Sequence, residues 1–188
     1  MKQAQDKGFR SRAAFKLIEI DEKARFLKAG CRVVDLGAAP GGWSQVAASK
    51  VLPGGVVVAI DLVEIAPISG VMALKGDFRE SGLHAKLIEA LGSGKADVLL
   101  SDLSPNITGI QNVDQARAAE LVQSAMMFCR EILKPEGVFL VKVFQGEAFS
   151  EVLEGLRANF VSVQMRKPAA SRGESREAYF LARGLKPV

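Results

Sequence analysis

A single histidine, two cysteines, one tryptophan and one tyrosine leave this 188-residue chain little of the usual equipment for metal or nucleophilic chemistry. A histidine-rich metal centre is excluded, and any histidine-based triad would rest on His84 alone. His84 stands near a glycine at the start of a polar, helix-like stretch with no partner in the neighbouring sequence, and is read as structural. Cys31 and Cys129 lie far apart, fit neither a zinc-ligand spacing nor a disulfide framework, and are read as buried, inert thiols in apolar surroundings. No metal is expected. Nor is there a run of roughly 18 apolar residues, so a membrane-spanning helix is not expected; the longest apolar stretches, such as 56–60 and 138–141, are strand-sized. A hydrophobic content of 48% argues against disorder. The N-terminus shows no charged-then-apolar signal pattern, which makes a cytoplasmic setting the default, with an organelle as the alternative if a transit peptide has been removed. No repeat or Pro/Gly/Ser-rich linker divides residues 1–188, which read as a single domain acting as a monomer.

Charge is unevenly spread. Residues 1–28 carry eight Lys/Arg against four Asp/Glu, and residues 157–188 carry seven against two, around an acidic middle. Basic ends suggest a surface for a polyanion. Lys7, Arg10, Arg12 and Lys16 cluster before and within one helical stretch, and Arg166, Lys167, Arg172 and Arg176 cluster around Pro168 and Gly173.

Hydrophobic periodicity supplies the architecture. Ser11 is placed to cap a helix through Ala13, Ala14, Leu17, Ile18 and Ile20. Strands are predicted at 32–36, 56–61, 71–74, 97–102 and 138–144, and helices from about Trp43, at 83–91, at about 114–133 with Pro135 and Gly137 as its stop, and at 148–160. Two last strands, 161–165 and 178–182, have no helix-length segment between them. Alternating strands and helices imply a parallel sheet covered on both faces, with the last strand entering antiparallel. The expectation is an α/β fold with about seven strands, binding its ligand beyond the carboxyl ends of the strands.

Three constellations carry chemistry. The first is the turn D-L-G-A-A-P-G-G-W at 35–43, where Gly37 and Gly41 permit a tight backbone path close to a ligand. It is not the dinucleotide fingerprint, because Ala39 stands where a glycine belongs and Pro40 removes an N–H. That departure weighs against a nicotinamide-dependent oxidoreductase, the alternative on a similar fold. The second is a set of strand-end acids: Asp61 where a ribose-binding acid belongs, Asp77 as an acceptor for an adenine amino group with Phe78 beside the ring, and Asp102. A ligand with a ribose, an adenine and a positive centre suits them, and S-adenosylmethionine meets that description. The third is Lys142 within V-F-L-V-K-V-F, an amine that burial or a neighbouring lysine would equip to accept a proton and that a nearby carboxylate would hold charged.

The segments S-R-A-A-F-K-L (11–17), D-L-G-A-A-P-G-G-W-S-Q (35–45), S-D-L-S-P-N (101–106), L-V-K-V-F-Q-G (140–146) and S-R-E-A-Y (175–179) together resemble the FtsJ/RrmJ family of ribosomal RNA 2′-O-ribose methyltransferases, in order and over nearly the whole chain. The resemblance implies a Rossmann-like class I S-adenosylmethionine-dependent methyltransferase fold. It implies a Lys-Asp-Lys-Glu catalytic tetrad, which falls on Lys16, Asp102, Lys142 and Glu177. It also places S-adenosylmethionine at Gly41, Trp43, Asp61, Asp77 and Asp102, with Gly37, Ala39, Pro40, Gly42, Leu62 and Phe78 completing the expected set. Residues 1–28 then form a basic helical segment serving both RNA and active site. The implied target is a uridine of the A-loop of large-subunit rRNA in the assembled large ribosomal subunit; another RNA (tRNA or organellar rRNA) and a non-catalytic assembly factor are the alternatives. The chain opens almost at the family's Q-A-Q-x-K-G segment, without its more N-terminal basic, aromatic stretch, a departure that bears on RNA affinity.

Overall fold

Parallel strands need crossover connections, and this chain uses a helix for most of them. Residues 6–92, 94–171 and 176–187 are described by the computed structural model. In chain order the elements are α1 (Ala13–Ala24), β1 (Arg32–Leu36), α2 (Gly42–Val51), β2 (Val56–Asp61), β3 (Val71–Lys75), α3 (Ser81–Ala90), β4 (Ala96–Ser101), α4 (Gln111–Ile132), β5 (Leu133–Phe144), α5 (Phe149–Asn159), β6 (Phe160–Arg166) and β7 (Glu177–Leu185). The seven strands lie in the order β3-β2-β1-β4-β5-β7-β6. β1 to β5 pair in parallel, and β7 runs antiparallel to both β5 and β6. Strand order reverses between β1 and β4, so the loops following these strands splay apart and open a crevice.

Alternation along the strands divides the core into two layers. Val34, Leu36, Phe139, Val141 and Phe180 face α4 and α5 through Val122, Phe128, Ile132, Val152 and Leu156. Val33, Val98, Leu100, Leu140, Tyr179 and Leu181 face α1 and α2 through Leu17, Ile20, Val46 and Val51. The same period of two puts Asp35, Lys142 and Glu177, and Asp102 just past β4, on the α1/α2 side. Every polar group that matters below therefore projects from one face.

Three local expectations are corrected. Ser11 does not cap α1 with its side chain: Arg12 is the N-cap residue, no side-chain cap bond forms, and Ser11 contributes only its carbonyl to the Ala14 N–H at 3.3 Å. The Ser11 hydroxyl instead lies against Gly42, where an added Cβ would come within 2.2 Å of it. Pro135 and Gly137 lie beyond the end of α4 as expected, but β5 begins at Leu133 rather than at 138 and takes them in. The helix ends at Ile132 and both residues belong to β5, in a register irregularity between Ala96↔Leu133 and Val98↔Val138. A proline donates no ladder N–H, and a bulge is where a strand tolerates it. Cys31 is half-buried rather than buried; Cys129 is buried, both are free, and burial pushes the Cys129 thiol up.

The end of α1 illustrates how buried polar groups are satisfied. Arg25 turns the chain in the left-handed region, and the Asp21 carboxylate, 4% exposed, then accepts from the N–H groups of Phe26 at 3.0 Å and Leu27 at 2.9 Å. Asp21→Ala should strand both donors and cost about 2–3 kcal/mol, lowering the calorimetric unfolding midpoint by about 4–10 °C. Asp21→Asn, which keeps an acceptor, should recover most of the loss; equal losses for the two variants would refute the capping role.

Candidate active site

The crevice at the β1/β4 switch is a cleft of about 460 Å³, within the range of small-molecule sites. Gly37, Ala39, Asp61, Leu62, Asp77, Phe78, Asp102 and Lys142 line it, together with Ser104 and Asn106. Pro40, Gly41, Gly42 and Trp43 do not. Pro40 is exposed, while Gly41, Gly42 and Trp43 are buried; Trp43 lies against Tyr179 at 5.7 Å between ring centres and donates its Nε1–H to the Ala13 carbonyl at 2.8 Å.

The glycine turn is tight for identifiable reasons. Gly37 has φ +70° and lies against Leu103, which a Cβ would meet at 2.9 Å. Gly41 has φ +111°, and a Cβ there would come within 2.4 Å of Ile68. Asp61 ties the turn to the next strand end, one carboxylate oxygen accepting from the Ala39 N–H and the other from the Val63 N–H, both at 2.9 Å. Asp77 is engaged differently from the free acceptor expected for an adenine. Arg79 grips both its oxygens at 2.5–3.0 Å and holds the carboxyl below its usual range.

At the inner end of the cleft four charged side chains meet. The Lys142 ammonium, 6% exposed, donates to the Asp102 carbonyl at 2.8 Å and to the Ser104 hydroxyl at 2.5 Å, and lies 3.3 Å from the Asp102 carboxylate. Three N–H groups thus find three oxygens, which is how a strand-borne amine is tolerated in the interior. Asp102 lies one residue past β4, held level with β1 by its N–H to the Leu36 carbonyl at 3.2 Å. Burial raises its carboxyl, against the pull of Lys142 and Lys16. Lys16, from α1, bonds Glu177, the first residue of β7, at 2.6 Å. The Tyr179 hydroxyl donates to Asp102 at 3.3 Å and its ring lies under the Lys16 ammonium at 5.9 Å; burial and the nearby carboxylates push the phenol far up.

Ser104, Tyr179 and Asp35 were not singled out from the sequence. Strand alternation was the available signal for two of them: Tyr179 is two residues from Glu177, and Asp35 shares the face of Val33. Ser104 belongs to a loop whose path no pattern specifies. Asp35 is fully buried; one oxygen accepts from the Ser44 hydroxyl at 2.6 Å and the other has no hydrogen-bond partner among the described residues. Burial raises its carboxyl to about 7, opposed by Ser44 and reinforced by Asp102 and Asp61.

Of the basic candidates, Lys7, Arg12, Lys167 and Arg176 are exposed. Arg10 is committed elsewhere: its guanidinium donates to the carbonyls of Ala66 and Pro67 at 2.6 Å and of Pro40 at 3.3 Å. It clasps the glycine turn to the loop after β2 and is not a free phosphate ligand. Arg166 bonds its own strand at Gln164. Arg172 lies outside the described residues. His84 lies beside Phe128, its Nε2 3.6 Å from a Glu131 carboxylate oxygen and without a hydrogen bond among the described residues, and it does not line the cleft.

A seven-stranded sheet of this order, with an acid-lined cleft at its switch point and a lysine-carboxylate cluster at the inner end, defines a methyltransferase of the Rossmann-like class. The FtsJ-like methyltransferase profile matches residues 9–185, and the chain belongs to that family. It is 53% identical over 184 residues, 98% of this chain and 89% of the relative, to the ribosomal RNA large subunit methyltransferase E of Nitrosospira multiformis. It is 50% identical over 186 residues, 99% and 89% of the two chains, to the protein of the same name from Methylobacillus flagellatus. Among solved structures, a candidate ribosomal RNA methyltransferase from Plasmodium falciparum superposes with a TM-score of 0.84 at 30% identity, covering 94% of this chain and 98% of that one.

Burial keeps Asp35 protonated to about pH 7, whereas a carboxyl in the unfolded chain ionises near 4. The native state therefore binds the extra proton across that window and loses stability as pH rises through it. Asp35→Asn should gain on the wild type from about pH 4 upward and level off near pH 7, by on the order of a few kcal/mol. Urea midpoints measured across the range check this, and a pH-independent difference would rule the buried titration out.

Proposed function

We propose that this protein transfers the methyl group of S-adenosylmethionine to a ribose 2′-hydroxyl of large-subunit ribosomal RNA, with a uridine of the A-loop in the assembled large subunit as its target. The observation that carries the reading is the meeting of Lys142, Asp102, Lys16 and Glu177 at the inner end of the acid-lined cleft. The two relatives named as ribosomal RNA large subunit methyltransferase E support the choice of RNA.

The cleft suits the donor. Asp61, Asp77 and Asp102 line it, which favours a cation over a pyrophosphate, and a Cβ at Gly37 or Gly41 would crowd the turn that shapes it. Asp61 and Asp77 would hold the nucleoside, Phe78 and Leu62 its apolar faces, and Gly37 and Ala39 the approach along the turn. The bound donor supplies an already activated methyl on a sulfonium. What remains for the chain is alignment and removal of one proton.

Lys142 is the group that meets the ribose hydroxyl: it aligns the oxygen for in-line attack and, having first given up one proton to solvent to become the neutral amine, takes up the hydroxyl proton as the new O–C bond forms and the S–C bond breaks. Asp102 fixes Lys142 through both its carbonyl and its carboxylate. Lys16 reinforces the positive field, and Glu177 holds Lys16 in place. The phosphates would lie along the edge where α1 meets the segment between β6 and β7, joined by the Lys16–Glu177 pair and by the Ala170 N–H to Glu19 at 3.3 Å. Exposed Lys7, Arg12, Lys167 and Arg176 flank that edge. Such contacts position without reading sequence, so selection falls to RNA shape and a splayed nucleotide.

Lys142→Ala should lower methyl transfer by at least about 100-fold while leaving donor affinity nearly unchanged, as read by tritiated-methyl incorporation into large ribosomal subunits and by calorimetric titration of the donor. Wild-type-like turnover, or label on a base rather than on ribose, would overturn the assignment. Lys167→Ala should weaken RNA binding and flatten its log-log salt dependence by about one unit; an unchanged slope would remove Lys167 from the interface.

A further inference from the structure

Among the described residues, Asp35 is the one buried carboxyl beside the cleft to which the reaction above assigns no role. It pairs in register with Ala59 of β2 and Leu100 of β4. Asp61 and Asp102 follow those partners by two residues, so all three carboxylates lie on the same face of three adjacent strands. With strand spacing and rise as they are in a sheet, Asp35 lies roughly 8 Å from each, one layer beneath the floor that Gly37 and Asp102 give the cleft. It is fully buried and meets the hydroxyl and the backbone N–H of Ser44; among the described residues its Oδ1 has no hydrogen-bond partner. Only Ser44, through its hydroxyl and its backbone N–H, favours an ionised Asp35. The charged groups around it are Asp61 from β2 and Asp102 after β4, which oppose its ionisation, and Lys142 from β5 and Lys16 from α1, both engaged by Asp102 and Glu177. α2 presents the Ser44 hydroxyl.

Methyl transfer changes the charge in the cleft: the donor carries a sulfonium, its demethylated product a neutral thioether, and the amino-acid end is common to both. We infer that Asp35 is a buried counter-charge which distinguishes donor from product, ionised while the sulfonium is bound and protonated when the neutral thioether replaces it. The inference rests on the methyl-donor reading and deepens it. A sulfonium seated against Asp61 and Asp102 would lie at a comparable distance of about 8 Å, where a unit positive charge shifts a proton equilibrium by about ten- to thirtyfold. Donor binding near neutral pH therefore expels a proton from Asp35, product binding does not, and loss of the sulfonium charge weakens retention of the spent ligand. Asp35 acts here as a specificity-determining residue and touches no reacting atom.

The test is calorimetric titration of the full chain with S-adenosylmethionine and S-adenosylhomocysteine. The donor-to-product affinity ratio should rise on the order of fivefold between about pH 6 and about pH 8, with proton release on donor binding seen by repeating the titration in buffers of different ionisation enthalpy. Asp35→Asn should make the ratio independent of pH and abolish the proton release. Ser44→Ala, which removes the hydroxyl that favours the ionised form, should move the rise to higher pH. Binding of both ligands with a flat ratio in the wild type, or an unchanged rise in Asp35→Asn, overturns this inference alone. Failure of either ligand to bind overturns the methyl-donor reading and the inference with it.

Discussion

The contact between the Lys142 ammonium and Asp102 is the constraint around which the rest of the site is arranged. An amine in the middle of a buried strand is costly unless each of its protons finds an oxygen. Here the acceptors come from a single neighbouring strand end: the carbonyl and carboxylate of Asp102 and the hydroxyl of Ser104 two residues on. That requires β4 to stop where it does, so that Asp102 is still level with β1 but its side chain is free of the ladder. The pairing of β4 with β5 then brings Lys142 alongside, and the antiparallel β7 adds Tyr179 and Glu177 from the other flank. α1 completes the cluster, because its buried face of Ala14, Leu17 and Ile20 leaves Lys16 on the turn nearest Glu177.

Much of this was legible in the sequence, and the reason is that the strands are buried on both faces. Three of the five residues of β1 and five of the six of β2 are apolar, with acids in both, and their bounds at Arg32–Leu36 and Val56–Asp61 could be read directly. The missing crossover before β7 was equally plain and announced its antiparallel entry. The failures occurred where tertiary contact overrides a local signal. Pro135 and Gly137 mark the end of α4 correctly but hide the start of β5, which takes them in at a register irregularity while Lys134 pairs with Asp97 at 2.5 Å. Ser11 has the chemistry of a cap, but its hydroxyl is turned toward Gly42. Arg10 has the charge of a phosphate ligand, and only the fold shows three carbonyls converging on it.

The site divides in the same way. Strand-terminal acids share a rim in any open parallel sheet, so the grouping of Asp61, Asp77 and Asp102 followed from topology alone. The pairing of Lys16 with Glu177 spans nearly the whole chain, and no local pattern encodes it. Recognition of the family motifs supplied what periodicity did not. The converse holds for Ser104 and Asp35, which depend on loop path and depth of burial and emerge only from coordinates.

The distribution of charge fits these placements. A cleft that attracts a cationic donor must be acidic, and an RNA-facing edge must be basic, yet the two have to adjoin for the hydroxyl to reach the methyl. Unscreened carboxylates at that junction would repel the phosphates they need beside them, since little screening occurs within a Debye length of about 8–10 Å. The structure limits the conflict by giving the acids close partners: Asp102 has Lys142 and Lys16, Asp77 has Arg79, and Asp61 is occupied by two backbone N–H groups. Asp35 is the exception, and it is buried out of sight of the RNA. An acid without a nearby cation is tolerable there only because it can hold a proton, which makes its ionisation answerable to the charge of whatever fills the cleft above it.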